Sequence, residues 1–215
     1  MKDAVWFIFV FFKPSKEQTR RCKQISHLVN SFMVDNTEEN HGYGGGANVG
    51  IQYALEHGAE WVVICNQDIV MPEKDIKTFV ETLKKSEPGI FGPEVGSFDT
   101  RRWTTILPAK GSVDYVSGSC MAIHKNVLQT VGAFYEPYFM YYEDADFSVR
   151  AKKAGFPLHH VELSGFKHNL NFASGRKKEY YLARNHLLFA LRNAPWQVKL
   201  HELLRLPKTL YDYWR

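Results

Sequence analysis

Trp61-Val62-Val63-Ile64-Cys65-Asn66-Gln67-Asp68 is an apolar run that stops abruptly at two amides and a carboxylate. Five apolar residues are too few for a helix of ordinary length, and two valines and an isoleucine among them favour the pleated conformation. The run therefore reads as a buried strand with Asp68 just beyond its tip. Open α/β sheets bind their ligands beyond the carboxyl ends of such strands. A hard oxygen ligand beside a phosphate suits Mg²⁺ or Mn²⁺, although an Asp after a strand is more often a cap or turn residue.

Upstream, Val5 to Phe12 is a run of eight apolar residues. It is too short to span a bilayer and lacks the small-residue cleavage site of a signal peptide, so it reads as the first strand of the core. Lys13-Pro14-Ser15 breaks the pattern, and Ser15 is placed to cap a helix running through Glu17 to about Leu28. Phe32-Met33-Val34 is a short strand that stops at Asp35-Asn36. The glycine density of Gly42-Tyr43-Gly44-Gly45-Gly46 predicts an irregular segment, with a helix from Ala47 to His57 closed by Gly58. A turn at Met71-Pro72 leads into a helix from Glu73 to Lys85.

This alternation predicts an α/β fold with a mostly parallel central sheet and helices on both faces. From Ile90 to Gly118 the chain has no long helical period. Helices are expected again from about Asp144 to Ala154 and across the amphipathic stretch Lys178 to Leu191.

A chain of 215 residues, 45% hydrophobic and 23% charged, fits one ordinary globular domain with a substantial core. A net charge of +4 is too mild for a dedicated nucleic-acid binder, and it suits a polyanionic small ligand or an anionic membrane surface. Cys22, Cys65 and Cys120 show no CxxC spacing, so neither a zinc ribbon nor a disulfide framework is implied, and a reducing, cytoplasmic compartment is the natural reading.

Gly42-x-Gly44-x-x-Ala47 satisfies the loose dinucleotide fingerprint GxGxxG/A. That fingerprint demands a strand feeding directly into the glycines, whereas Asp35 to His41 intervenes. A nicotinamide-dependent oxidoreductase is thus a weak alternative. Glycines leading into a helix would also offer its first N–H groups to an anion.

Glu143-Asp144-Ala145-Asp146 places three acids at a helix start, beside Phe139-Met140-Tyr141-Tyr142. A cap explains one acid but not three. Apolar neighbours would raise a carboxylate's pKa towards the range useful to a general base, while the helix dipole would lower it, and the sequence leaves that balance open. His168 is one of nine histidines. Arg184 and Asn185 offer a phosphate contact and a substrate-orienting amide, or else a solvated helix face.

Taken in order, these pieces resemble a known family. They are Val34-Asp35-Asn36, Asn40-x-Gly42-x-Gly44-Gly45-Gly46-Ala47-Asn48, Asn66-Gln67-Asp68, Gly118-Ser119-Cys120-Met121, Tyr142-Glu143-Asp144-x-Asp146 with Arg150 and Gly155, and Tyr180-x-x-x-Arg184-Asn185. Their order and spacing are similar to those of the inverting family 2 glycosyltransferases of GT-A fold, the family that contains the bacterial rhamnosyltransferases. The resemblance covers roughly residues 5 to 193.

It implies a domain over 1–195, followed by a basic aromatic tail over 196–215 that either packs as a helix or lies on a membrane surface. It implies that Lys13, Pro14, Asp35, Gly45, Asn48, Asn66 and Asp68 bind the nucleotide and that Asp68 and His168 hold a divalent cation, Mn²⁺ or Mg²⁺. Asp144 would be the catalytic base, with Glu143 beside it, and Asp146, Arg184 and Asn185 would serve acceptor or phosphate.

The activity implied is transfer of rhamnose or a related sugar from a dTDP- or UDP-sugar to a glycan or polyprenyl-linked acceptor. That places the chain in bacterial surface polysaccharide synthesis, in the cytoplasm or at the inner face of the plasma membrane. A non-catalytic nucleotide-sugar or glycan-binding module is the other alternative. Asn66 for the first acid of the DxD-type motif, and Tyr135 in Gly132-Ala133-Phe134-Tyr135-Glu136 where an acid is common, depart from the family pattern.

Overall fold

The structure is a computed structural model that describes residues 4–168 and 175–214. The first strand, β1 (Val5–Phe11), is followed by α1 (Lys16–Ser26), β2 (Asn30–Asp35), α2 (Gly42–Glu56) and β3 (Trp61–Asn66). Then come β4 (Ile69–Val70), α3 (Glu73–Lys84), β5 (Ile90–Gly92), β6 (Val95–Phe98), β7 (Thr105–Ile106), β8 (Tyr115–Val116) and β9 (Cys120–His124). The remainder is α4 (Lys125–Val131), a 3₁₀ turn at Glu136–Tyr138, α5 (Glu143–Lys153), β10 (Leu158–His160), β11 (Lys167–His168), α6 (Arg176–Asn193) and α7 (Trp196–Trp214).

The central sheet runs β10-β5-β9-β3-β1-β2. β2, β1 and β3 are mutually parallel, β10 is parallel to β5, and β9 pairs antiparallel with both β3 and β5. The expected mostly parallel sheet is present, with β9 as its one reversed member.

The continuous apolar runs are explained by burial on both faces. Side chains alternate across a strand, and β1 divides accordingly. Phe7, Phe9 and Phe11 pack with Cys22 and Ile25 of α1 and with Ile76, Phe79 and Leu83 of α3. Ile8 and Val10 pack on the opposite face with Ala47, Ile51 and Ala54 of α2 and with Phe147 and Ala151 of α5. β3 divides the same way, Trp61, Val63 and Cys65 to one layer and Val62 and Ile64 to the other.

Ser15 caps α1 as the sequence predicts, with a reciprocal capping box through Gln18. The glycine segment differs from expectation. Residues 42–46 form the first turns of α2 rather than an irregular loop, and Gly42, Gly44, Gly45 and Gly46 are buried there. Close packing overrides the intrinsic helix penalty of glycine. A Cβ on Gly46 would lie 2.8 Å from Val10 Cγ1, and one on Gly50 2.0 Å from Ile8 Cγ2, so α2 approaches β1 at a distance only glycine permits.

The tail is also a helix. Val198 of α7 is buried against Ala190 and Ala194, and Glu202, only 4% exposed, receives two hydrogen bonds from Arg102. Trp196, Leu200, Leu203, Leu204 and Tyr211 of the same helix are exposed. Arg215 lies outside the described residues. No helix among the described residues is long and apolar enough to cross a membrane.

Substituting Gly50→Ala should destabilise the chain by about 1–3 kcal/mol through overpacking against Ile8. Gly44→Ala, whose added methyl meets nothing nearer than 3.6 Å, should be neutral or stabilising. Urea denaturation of the two variants checks the contrast.

Candidate active site

β1, β2 and β3 point the same way and end at one edge of the sheet, and the start of the reversed β9 arrives there too. Cys65 stands opposite Cys120, and Asn66 N–H donates to the Ser119 carbonyl at 2.9 Å. A cleft of about 630 Å³ opens at this edge, a size usual for small-ligand sites. Asn36, Asn66, Asp68, His168, Glu143 and Asp144 all contribute to its wall. The strand-tip reading of Asp68 thus coincides with the acid pair at the start of α5, although 75 residues of sequence separate Glu143 from Asp68.

On one side are Asp68 and His168. His168 is brought in by β11, which pairs antiparallel with β4 so that His168 lies opposite Ile69. Its Nε2 is 3.4 Å from Asp68 Oδ1 and 3.1 Å from Asn66 Nδ2, and its Nδ1 is 3.1 Å from Glu94 Oε2. Burial opposes a charge on this imidazole, but the two facing carboxylates, Asp68 at ion-pair distance and Glu94 hydrogen-bonded to Nδ1, outweigh it and push the pKa up to about 9. Burial likewise raises Glu94, yet its hydrogen bonds with His168 and Ser119 hold it below the usual carboxylate value.

Asp68 Oδ1 is buried and has no hydrogen-bond partner. Two ligands that share a cation at about 2.1 Å each, at right angles, stand about 3 Å apart, near the observed spacing of Asp68 Oδ1 and His168 Nε2. Among the described residues no group of three or more His, Cys, Asp or Glu side chains converges on a metal position. The pair therefore fits a cation held by one carboxylate and one imidazole, with phosphate oxygens and water completing its shell, as is usual for Mg²⁺ at phosphate sites.

On the other side are Glu143 and Asp144. Asp144 Oδ2 accepts from Gly118 N–H at 2.8 Å and Oδ1 from Ala145 N–H at 2.7 Å. Glu143 Oε2 is buried with no partner. Burial raises both carboxyls, with the charge of Asp144 as a further cause for Glu143, which reaches about 8, while the backbone N–H groups pull Asp144 the other way. Burial thus prevails over the backbone donors. The asymmetry of donors makes Asp144 the more readily ionised of the pair and Glu143 the one that holds its proton longer.

The approach to this pair is strained. Phe139, Tyr141 and Tyr142 have φ of 66°, 68° and 73°, a region costly to residues other than glycine. Arg184 and Asn185 pay out their donors here. Arg184 bonds the carbonyls of Pro137 and Tyr138, and the Asn185 amide reaches those of Tyr138, Met140 and Tyr141 at 2.6–2.9 Å. Neither residue lines the cleft, whose α6 contributors are Lys178 and Leu182. Asp146 is also outside the lining. It is fully buried between Arg150 and Arg192, with Asn193 and Tyr138 donating to it, and so joins α5 to α6.

The other residues expected at the nucleotide lie near the cleft rather than on its wall. Lys13 N–H donates to Thr37 Oγ1, and Asp35 Oδ1 accepts from Thr37 N–H, which ties the ends of β1 and β2 together. Pro14 follows Lys13, and the cleft lining nearest to them is Phe12 and Asn36. Gly45 is packed on His41, and Asn48 braces Phe134 and Glu136. The first amides of α2 are already occupied, Gly42 N–H by Asn40 Oδ1 and Tyr43 N–H by the Phe139 carbonyl. The dinucleotide fingerprint therefore has neither its loop nor free amides at those two positions.

Sequence reasoning missed Glu94, Gln67 and Tyr43. Gln67 clasps the Phe12 backbone through both amide atoms, at 2.8 and 3.2 Å, and Tyr43 hydroxyl donates to the Gly118 carbonyl. Glu94 carried a usable signal, since Ile90-Phe91-Gly92-Pro93-Glu94 is another apolar run that ends in an acid.

No protein-family model matches the chain. It is 26% identical over 209 residues to the low-salt glycan biosynthesis hexosyltransferase Agl10 of Haloferax volcanii, covering 79% of this chain and 68% of that protein. It is 26% identical over 175 residues to the N-acetylglucosaminyl-diphospho-decaprenol L-rhamnosyltransferase of Mycobacterium tuberculosis, covering 64% of this chain but only 57% of that one. Among solved structures, a mannosyltransferase of Pyrobaculum calidifontis in complex with GDP-Man and Mn²⁺ superposes with a TM-score of 0.59 at 14% identity, over 99% of this chain and 73% of the other. The fold is that of the GT-A glycosyltransferases, and the resemblance to rhamnosyl- and hexosyltransferases extends to the sequence.

Between about pH 4.5 and 8 the folded chain keeps on Glu143 a proton that the unfolded chain has released. This contribution to stability is present in full below that window and lost as pH rises through it. Glu143→Gln should therefore flatten the fall in stability across the window, as read from denaturation midpoints at a series of pH values.

Proposed function

We propose that this chain of GT-A fold is an inverting glycosyltransferase, which moves rhamnose or a related sugar from a dTDP- or UDP-sugar to a glycan or polyprenyl-linked acceptor in surface polysaccharide synthesis. The observation that carries the reading is a single cleft at the ends of β1, β2 and β3 with two unlike acid sites. One is a carboxylate oxygen without a hydrogen-bond partner facing an imidazole, and the other is an Asp whose carboxylate accepts two backbone N–H groups beside a buried Glu whose Oε2 accepts none. The relatives named for hexosyl and rhamnosyl transfer support the sugar class, and the decaprenol in one name supports a lipid-linked acceptor.

Asp68, Glu143 and Asp144 make the cleft wall acidic, with His168 and Lys178 as its basic members. A diphosphate entering such a site needs added positive charge, and this supports a divalent cation at Asp68 and His168. When bound there, a Mn²⁺ or Mg²⁺ ion would stabilise the charge that develops on the leaving nucleoside diphosphate.

Asp144 takes the proton from the acceptor hydroxyl as that oxygen attacks the anomeric carbon from the side opposite the diphosphate. The Gly118 and Ala145 N–H groups hold the carboxylate in place for this step. Glu143, keeping its own proton, adds no second charge beside the base. The nucleoside lies toward Phe12, Asn36 and Gln67 of the cleft wall, whose chain neighbours are Lys13, Pro14 and Asp35. On α7, exposed Trp196, Leu200, Leu203 and Leu204 near Lys199 and Lys208 support peripheral contact with an anionic membrane, where a polyprenyl-linked acceptor resides.

Calorimetric titration with UDP and with dTDP, each with Mn²⁺ and with a chelator, tests the division of labour. Asp68→Ala should lose the metal-dependent part of nucleotide binding. Asp144→Asn should bind the nucleotide as the parent does and lose transfer by about 10²–10⁴-fold. Equal loss of nucleotide affinity in both variants would overturn the roles assigned here.

A further inference from the structure

Among the described residues the main chain around His168 is anchored by two pairs, Lys167 opposite Val70 and His168 opposite Ile69. That fixes the Cα but leaves the ring free to turn about its own torsions. What holds the ring is a carboxylate. Glu94 Oε2 lies 3.1 Å from His168 Nδ1, and the same oxygen accepts a hydrogen bond from Ser119 Oγ. Ser117 Oγ donates in turn to Ser119 Oγ at 3.1 Å, and Ser117 N–H donates to the Glu94 carbonyl at 2.8 Å, so both ends of Glu94 are pinned. The side chains of His168 and Glu94 are 10% and 22% exposed, so water competes little for these bonds.

We infer that Glu94 is the positioning residue for His168, fixing its tautomer and ring angle so that Nε2 is presented beside Asp68 Oδ1 as a cation ligand. This rests on the metal-assisted reading above. An imidazole whose Nδ1–H is held by a carboxylate has its Nε2 lone pair directed away from that partner, and such a partner also makes Nε2 a stronger donor to a metal.

The two carboxylates near His168 have different roles because their oxygens are differently committed. Asp68 Oδ1 is buried without a hydrogen-bond partner, whereas Glu94 Oε2 already serves Ser119 and His168. The first is an open ligand and the second is a brace. Glu94 also links the two sides of the cleft. The segment that carries Ser117 and Ser119 includes Gly118, whose N–H holds the Asp144 carboxylate.

The test is Mn²⁺ binding to the full chain with UDP or dTDP present, followed by the paramagnetic resonance of free Mn²⁺, for the parent, Glu94→Gln, Glu94→Ala and Asp68→Ala. Glu94→Ala should weaken Mn²⁺ binding by about 10–100-fold. Glu94→Gln keeps an acceptor for Nδ1–H and should fall between the parent and Glu94→Ala. Nucleotide binding in chelator should be unchanged by either substitution. A nitrogen-detected spectrum of the imidazoles without metal gives a second readout, in which the His168 Nδ1–H signal of the parent should shift in Glu94→Gln.

Parent-like Mn²⁺ affinity in both Glu94 variants would overturn the inference, as would an unmoved His168 signal. A loss in Glu94→Gln as complete as in Asp68→Ala would overturn it by making Glu94 a ligand. If the parent itself binds no Mn²⁺ with either nucleotide, the metal-assisted reading fails first, and the result is distinguishable from failure of the brace alone. Should Glu94→Ala not fold, Glu94→Gln and the ring signal decide the matter.

Discussion

The short segment Ser117-Gly118-Ser119 is bonded from four directions, and the geometry of the cleft depends on it. Asn66 N–H at the tip of β3 reaches the Ser119 carbonyl, and Tyr43 hydroxyl from α2 reaches the Gly118 carbonyl. Gly118 N–H holds Asp144 at the start of α5, and Ser119 Oγ holds Glu94 beyond β5. A buried peptide must pair its polar groups, and here the partners come from α2, the tip of β3, the start of α5 and the segment after β5. Gly118 leaves little room for a side chain, since a Cβ there would lie 3.3 Å from Tyr43 and 3.4 Å from Asp144. The same hydrogen bonds that satisfy this segment thus set the separation of the two acid sites.

A second constraint lies on the far side of Asp144. Three residues in the left-handed region before α5 store strain, which persists only where the surroundings over-determine it. Arg184 and Asn185 supply that determination by bonding the loop carbonyls, and buried Asp146 with Arg150, Arg192 and Asn193 holds α5 against α6. Desolvation offsets much of the attraction within an ion network this buried, so its net contribution to stability is smaller than its contacts suggest. The polar residues that recur around the acid pair therefore do two kinds of work. Glu143 and Asp144 face the cleft, and Asp146, Arg184 and Asn185 keep them there.

Much of the fold was legible because its cause is local. Two-sided burial makes β1 and β3 continuous apolar runs, and Ser15 with Gln18 writes the start of α1 in a few residues. The glycine segment was misread as irregular for the opposite reason. Its helical state depends on how closely α2 may approach Ile8 and Val10, a contact between elements that local propensity does not contain. The short strands between Ile90 and Val116 have no period long enough to read. Asp68, Asp144 and His168, singled out from type and order, do line one cleft, whereas Glu94 stood out only once the chain after β5 placed it against His168.

By itself the sequence determined the alternation of strands and helices, the strand-tip position of Asp68 and the acid cluster at the start of α5, because these follow from periodicity, capping and residue type within a few positions. Only the tertiary structure decided which acid of the pair receives backbone donors, which carboxylate oxygen is buried without a hydrogen bond and which polar residues hold the loop. Those outcomes depend on burial and on hydrogen-bond partners from distant parts of the chain. Asp144 differs from Glu143 through an N–H donated by Gly118, and Asp68 differs from Glu94 in that its buried Oδ1 accepts no hydrogen bond and meets only the His168 imidazole, at ion-pair distance.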